Sequence, residues 1–434
     1  MSPRRETRRV TLAYGTTGLE IDVPGDATVV RPAHHPAVAD ELAAVRDALD
    51  RPVDGLPLRD LVPAGAKVAI AVCDATRPQP RRPMLAAIAQ VLDGIVPPQN
   101  VVVLIATGTH TPSSDAQRRE MLGDDILARW RVIDHDARDE ASLREFGWVD
   151  GVHVVLDREW LDADVRITTG FVEPHFFAGF SGGPKMVAPG LAALETVLEL
   201  HSPPRIADPR ATFGVVDGNP VHDPVRAIAA ATGVTFAVDV LIDSEHRITH
   251  AFGGPILAMH AAACRMARHV AMQPVSGPFD IVVTTNSGYP LDRNLYQAVK
   301  GIAAGATVVA DGGVILCAAE CRDGLPEGGH YARLLRSASS IEAVAYEILA
   351  AQRTIPDGWQ VQVQARAQSR ARVLLHSRLA SADARAAHLE PIDDVSSTLR
   401  ALLEERPGAR VCVLPEGPQT IPYIADSDDN SGTC

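Results

Sequence analysis

A two-domain α/β fold with parallel-type sheets follows from three features of the sequence. Continuous apolar runs of strand length alternate with helical stretches. Two of those runs end in short polar tails. The same strand–loop–helix pattern restarts after the Pro/Gly/Ser-rich stretch 271–278. A chain of 434 residues also exceeds one ordinary core.

The elements follow in order. Residues 9–24 alternate around a Gly-Thr-Thr-Gly turn and predict a hairpin. Residues 37–50 have helical periodicity. The apolar strand Lys67–Cys73 runs into Asp74-Ala75-Thr76-Arg77-Pro78, and a helix is expected at about 82–94. The strand Val101–Ala106 runs into Thr107-Gly108-Thr109-His110, with a helix at about 114–130. Ligands of such sheets bind beyond the carboxyl ends of the strands, so the fold alone groups Asp74, Arg77 and His110. Past 278, Phe279–Thr285 reads as a strand and Asn294–Ala304 as a helix. Thr307–Ala318 contains another strand, 337–350 is helical, and Arg410–Leu414 is a late strand. The expected domains are 1–273 and 277–407. A terminal strand at 408–425 returns to the first domain, and a polar, disordered tail covers 426–434.

Composition narrows the function. The formal net charge is −13 and no Lys/Arg cluster stands out. That argues against nucleic acid or an anionic membrane as partner, and leaves a small anionic substrate. The basic amino-terminus lacks the apolar core of a signal peptide, and no apolar run is long enough to span a membrane. Six scattered cysteines argue against a disulfide framework, and Cys317 and Cys321 lack a second pair at zinc spacing. A reduced, cytoplasmic protein is expected.

Four segments can carry chemistry. In DATRP (74–78), Asp74 can accept from a ribose hydroxyl and Arg77 can fork onto a carboxylate or phosphate. The alternative is a helix N-cap. TGTH (107–110) lets backbone approach a ligand and presents His110, although a loop histidine is often only a surface residue. In EPHFFAGFSGGPK (173–185), Ser181, Gly182 and Gly183 form a small-residue turn whose N–H groups could hold a phosphate. It follows His175 and ends at Lys185, and a helix then leads to His201. The spacing is not that of a Walker A loop. In GYPLDRNLYQAVKG (288–301), Tyr296 and Lys300 share a helix face, with Gln297 beside them.

Taken in register with Trp359, these blocks resemble the nickel-pincer-nucleotide lactate racemase family from about residue 8 to 425. The resemblance implies that Lys185 carries the cofactor covalently through a pyridinium thioamide, and that His201 is the protein ligand to nickel. It implies paired acid/base roles for His110 and His175, and a cofactor contact for Asp74. Arg77 and Lys300 would bind the substrate carboxylate, with Tyr296 and Gln297 beside them, and Trp359 would lie near the cofactor. The site would then occupy the interdomain cleft. Enzymes that build the cofactor become partners.

The chemistry suits such groups. The Cα–H of a 2-hydroxy carboxylate is a poor acid, so removal of hydride is the easier route. The flat keto acid can take hydride back on either face. The two enantiomers present their hydroxyls in opposite directions, which calls for two bases, and histidine suits both. A lactate-like 2-hydroxy acid is the expected substrate, with malate, aromatic lactates and aldonic acids as alternatives. A pyridoxal-phosphate racemase and a non-catalytic carrier of a nickel nucleotide are the rival readings.

Overall fold

The computed structural model describes residues 6–425. The tail expected at 426–434 lies outside the described residues. The described residues divide into two compact units, one of 34–201 and 209–268, the other of 6–33, 202–208 and 269–425.

The strands are numbered along the chain. β1 (Thr7–Leu12) and β2 (Leu19–Pro24) form the hairpin expected at 9–24, and β3 (Thr28–Val29) follows. The unit of 34–201 and 209–268 is built on β4 (Val68–Cys73), β5 (Val101–Ala106), β6 (Arg131–Asp134) and β9 (Val165–Phe171), with a hairpin of β7 (Leu143–Val149) and β8 (Val152–Asp157) inserted. The short hairpin β10 (Pro174–His175) and β11 (Gly179–Phe180) leaves the end of β9. β12 (Phe236–Ile242) and β13 (Ile248–Gly254) complete a six-stranded sheet of order β13-β12-β9-β4-β5-β6. Every pair in it is parallel except β12 with β13.

The chain runs outward from β4 through β5 to β6, then returns to the other side of β4 as β9 and continues to β12. The order therefore reverses between β4 and β9, the place where open α/β sheets bind ligands. All six residues of β4 are buried, as are the first five of β5, because helices cover both faces. Each fully buried Val, Ile or Leu in them contributes about 1.5–3 kcal/mol. The helix expected at 82–94 spans Arg81–Leu92. The helix expected at 114–130 is two, Asp115–Leu122 and Asp124–Arg129, split at Gly123, whose φ of +83° no continuous helix allows.

The other unit carries β14 (Met272–Val275), β15 (Phe279–Thr285), β16 (Val309–Ala318), β17 (Ala371–His376), β18 (Glu390–Ile392), β19 (Val411–Val413) and β20 (Ile421–Ile424). Its six-stranded sheet, β18-β17-β16-β15-β19-β3, is parallel throughout. Two sequence expectations differ here. Residues 6–33 group with this unit, not with 34–201, because β3 extends its sheet beside β19 and the hairpin packs its apolar face onto it. Val10, Leu12, Ile21 and Val23 join Ile281, Val283, Val314 and Leu399 in one core. The segment 408–425 also stays in this unit: β19 pairs with β15, and β20 with β14.

The helix Leu295–Ala306 packs on β15 through Gly301, where a Cβ would lie 1.9 Å from the Thr285 carbonyl oxygen. Gly301→Ala should therefore lower the thermal midpoint by about 4 °C or more, although alanine favours a helix by about 1 kcal/mol. A midpoint equal to wild type or higher, measured by calorimetry, would contradict this packing.

Candidate active site

The three central strands β9, β4 and β5 each end in a loop that carries candidate residues, so backbone pairing sets where these residues sit. After β4, the buried Asp74 folds back on its own turn. Its Oδ1 accepts from the Thr76 N–H at 3.1 Å and the Thr76 hydroxyl at 2.7 Å. Its Oδ2 lies 2.6 Å from His110 Nδ1, which arrives from the end of β5. The sequence leaves Asp74 two readings, acceptor to a ribose hydroxyl or helix N-cap. In the structure it engages His110, and the next helix starts at Arg81, after Pro80. Burial works to raise the Asp74 pKa. The hydrogen bond and charge of His110 outweigh it, with Arg77 and Thr76 adding to the effect, and hold the carboxyl at about 2. The contact assigns the His110 Nδ1 proton toward Asp74 and leaves Nε2 as the nitrogen able to take a proton.

Arg81, which the sequence reading overlooked, knits this turn together. Its guanidinium donates to the carbonyls of Cys73 (2.8 Å), Asp74 and Arg77 (2.8 Å). Gln79 closes the other side, accepting from Cys73 N–H at 2.7 Å and donating to Thr169 Oγ1 at 2.8 Å. Arg77 borders a cavity of about 400 Å³ together with Arg82, Gln117, Glu120 and Met121. None of His110, His175, Lys185 or His201 lines that cavity, so it is not where these groups meet.

The TGTH loop is held by the segment after Lys185. Gly108 N–H donates to the Gly190 carbonyl at 2.9 Å, and Gly190 N–H to the Lys185 carbonyl at 3.0 Å. Gly108 has φ +55°, which suits glycine. His175 sits on the β10–β11 hairpin, with Nδ1 accepting from Ala178 N–H at 3.2 Å. Its ring stacks on Phe176 at 4.8 Å and meets Phe177 edge-on at 4.5 Å.

Phe177 is the centre of this group. Its ring also meets His201 edge-on at 5.3 Å, and Lys185 Nζ lies 5.5 Å from its centroid. His201 closes the helix Leu194–Leu200, and its Nδ1 donates to the Val197 carbonyl at 2.8 Å. That bond directs the Nε2 lone pair outward, as a metal-ligating imidazole requires. Burial, reinforced by the Lys185 charge and only partly offset by the Val197 bond, lowers its pKa to about 4, so the ring is neutral at pH 7. A neutral imidazole beside a lysine amine fits a metal-bearing group tethered at Lys185.

The expected phosphate cradle at 181–183 is corrected by the geometry. Ser181 N–H donates to the Glu173 carbonyl, and the Ser181 hydroxyl to the Phe171 carbonyl at 3.0 Å. Gly183 N–H donates to Asp239 Oδ2 at 2.6 Å. These donors face the protein, so they are not an open anion nest.

In the other unit, Asn294 caps the helix Leu295–Ala306 through Gln297 N–H at 3.1 Å. Lys300 Nζ donates to Gln297 Oε1 at 2.9 Å, and Trp359 Nε1 to the Tyr296 hydroxyl at 3.2 Å. The four residues singled out there are thus linked as two bonded pairs, one within that helix and one between it and the helix Gly358–Arg370.

One compositional signal went unused in the sequence reading. The chain has 38 arginines but only three lysines, Lys67, Lys185 and Lys300. Arginine supplies positive charge almost everywhere, so lysine persists where a small ammonium or a nucleophilic amine is needed. Two of the three are site candidates.

The lactate racemase N-terminal domain model matches residues 14–214, and the lactate racemase C-terminal domain model matches 275–421. A lactate racemase of Thermoanaerobacterium thermosaccharolyticum is 34% identical over 364 residues, 82% of this chain and 85% of that protein. One from Lactiplantibacillus plantarum is 32% identical over 381 residues, 87% of this chain and 90% of that protein. The structure of the lactate racemase apoprotein from T. thermosaccharolyticum superposes with a TM-score of 0.89 at 30% identity, covering 96% of this chain and all of that one. A Thermotoga maritima protein, 17% identical with a TM-score of 0.65, covering 91% of this chain and all of that one, shares the fold.

The Asp74 pairing has a pH signature. A carboxyl held at about 2 stabilises the fold fully above its unfolded pKa of about 3.9, and that stability is lost as pH falls toward 2. The stability gap between wild type and Asp74→Asn should shrink as pH falls from about 4 to 2. Denaturant melts across this range check it; a gap unchanged down to pH 2 would refute it.

Proposed function

Because the chain belongs to the lactate racemase family, and so to the isomerases, we propose that it interconverts the configurations of a lactate-like 2-hydroxy acid through a nickel-pincer nucleotide held on Lys185. The observation that carries this reading is Phe177, whose one ring touches His175, His201 and the Lys185 ammonium. A racemase of this kind needs an acid/base group, a metal ligand and an attachment point side by side.

In this reading Lys185 carries the nucleotide and the His201 Nε2 ligates nickel. When bound, that group supplies a reversible acceptor for the substrate's Cα hydride. The protein's own residues do the rest. Arg77 and Lys300 hold the substrate carboxylate, and Lys300 is itself oriented by Gln297. His110 Nε2 takes the hydroxyl proton of one enantiomer, while Asp74 at Nδ1 stabilises the imidazolium that forms. His175 serves the opposite enantiomer, and each histidine returns a proton in the reverse direction. Tyr296, whose hydroxyl accepts from Trp359, is assigned a place beside Lys300 in binding the substrate. Lactate is the substrate assigned first, with malate, aromatic lactates and aldonic acids as members of the same class. Cytoplasmic enzymes that build the cofactor are the expected partners.

Two measurements test the reading. His110→Ala and His175→Ala should each lower interconversion of both enantiomers by about 10²–10⁴-fold, read by chiral chromatography over a panel of 2-hydroxy acids. Retained conversion of both enantiomers in either variant would remove the paired-base assignment. Lys185→Arg should fold yet gain no mass after treatment with cofactor-making enzymes, whereas the wild type gains it on Lys185. An active wild type with Lys185 unmodified would refute covalent attachment.

A further inference from the structure

Beneath the turn that presents Lys185 lies a polar layer that the reaction above does not use. Asp239 stands in the middle of β12, in register with Gly170 of β9, and is fully buried. Its Oδ2 accepts the Gly183 N–H at 2.6 Å. His260, from the helix Ile256–Ala271, is also buried and donates from Nε2 to the Ser181 carbonyl at 2.8 Å. The ring of His222 stacks on that of His260 at 5.4 Å.

The fit on the turn is close from both sides. A Cβ at Gly182 would lie 2.6 Å from Asp239 Oδ2 and 2.7 Å from the Phe171 carbonyl. One at Gly183 would lie 2.4 Å from His260 Cδ2. Both glycines have positive φ, +69° and +48°. The two glycines, read from the sequence as a phosphate cradle, are instead small so that the backbone can rest on these two side chains.

Apolar side chains would fill this space without the cost of drying a carboxyl and an imidazole. Burial, partly offset by the backbone N–H groups of Gly183 and Gly170, pushes the Asp239 carboxyl up to about 7. Burial also brings His260 down to about 4. What the polar pair offers, and an apolar pair cannot, is directional contact with one N–H and one carbonyl of the turn.

We propose that Asp239 and His260 are positioning residues that clamp the Ser181–Gly183 backbone and so fix where the Lys185 amine is presented. Neither touches cofactor or substrate. The functional consequence rests on Lys185 being the attachment point.

The scarcity of lysine makes the test clean. Apo protein is labelled with trace acetic anhydride and mapped by mass spectrometry, with the exposed Lys67 as internal standard. In Asp239→Ala the Lys185-to-Lys67 labelling ratio should shift about fivefold toward that of an exposed amine, while the Lys300 ratio stays at the wild-type value. Asp239→Asn, whose amide oxygen still accepts the Gly183 N–H, should stay within about twofold of wild type. His260→Leu against His260→Gln repeats the comparison from the other side and decides the matter if Asp239→Ala does not fold. Covalent loading of Lys185 should slow about tenfold or more in the variants whose ratio moves, and not in the Asn and Gln rescues.

A lower thermal midpoint with unchanged labelling ratio and loading would overturn the proposal. So would Asn failing as badly as Ala. If wild type takes no mass on Lys185, the cofactor reading falls, and the apo labelling ratios still judge the clamp.

Discussion

A strand buried on both faces cannot carry chemistry along its length, and the site rests on that constraint. β9, β4 and β5 lie side by side in the middle of a sheet, and their side chains are almost entirely buried. The candidate residues appear where the strands stop. Three adjacent stops deliver His175, then Asp74 and Arg77, then His110. The parallel pairing brings these ends to one edge, and the reversal of order between β4 and β9 opens the gap there. Loops far apart in sequence meet because hydrogen-bonded ladders leave them no alternative.

Within that edge, each ionisable group is tuned by what lies behind it. Asp74 is buried yet remains a carboxylate, because His110, Arg77 and Thr76 compensate its charge. His201 is buried near the Lys185 charge, and both hold it neutral. The same dryness gives opposite results because one group has opposite charge at hand and the other has the Lys185 charge nearby. The two histidines are thus set differently: His110 has a carboxylate behind it, and His201 a backbone carbonyl and a lysine charge.

The sequence was most informative where a signal is local. Val101–Ala106 and Phe279–Thr285 were legible to the residue, because apolar runs flanked by polar breaks have few other readings. The polar tails were legible as site candidates because a sheet rule assigns their place. Partnerships were not. Nothing near Asp74 says that His110, thirty-six residues on, will take its carboxylate. Phe177 reads as one more aromatic until its ring is seen against three functional groups. Asp239 did leave a trace, a single acid inside the apolar run Phe236–Ile242, where a charge has no business without a partner. The placement of residues 6–33 left none, since a two-residue strand has no periodicity to read.

That two-residue strand sets a timetable. β3 pairs with β19, so Thr28 and Val29 wait for Cys412 and Val413, almost the whole length of the chain later. During synthesis the first strand emerges with its edge unpaired and the apolar face of its hairpin uncovered. The sheet it belongs to closes only when the last strands leave the ribosome. The unit of 34–201 and 209–268 has all its strands by residue 254 and can close earlier. Contacts of such long range make the final closure slow and keep the hairpin's apolar face uncovered for most of translation.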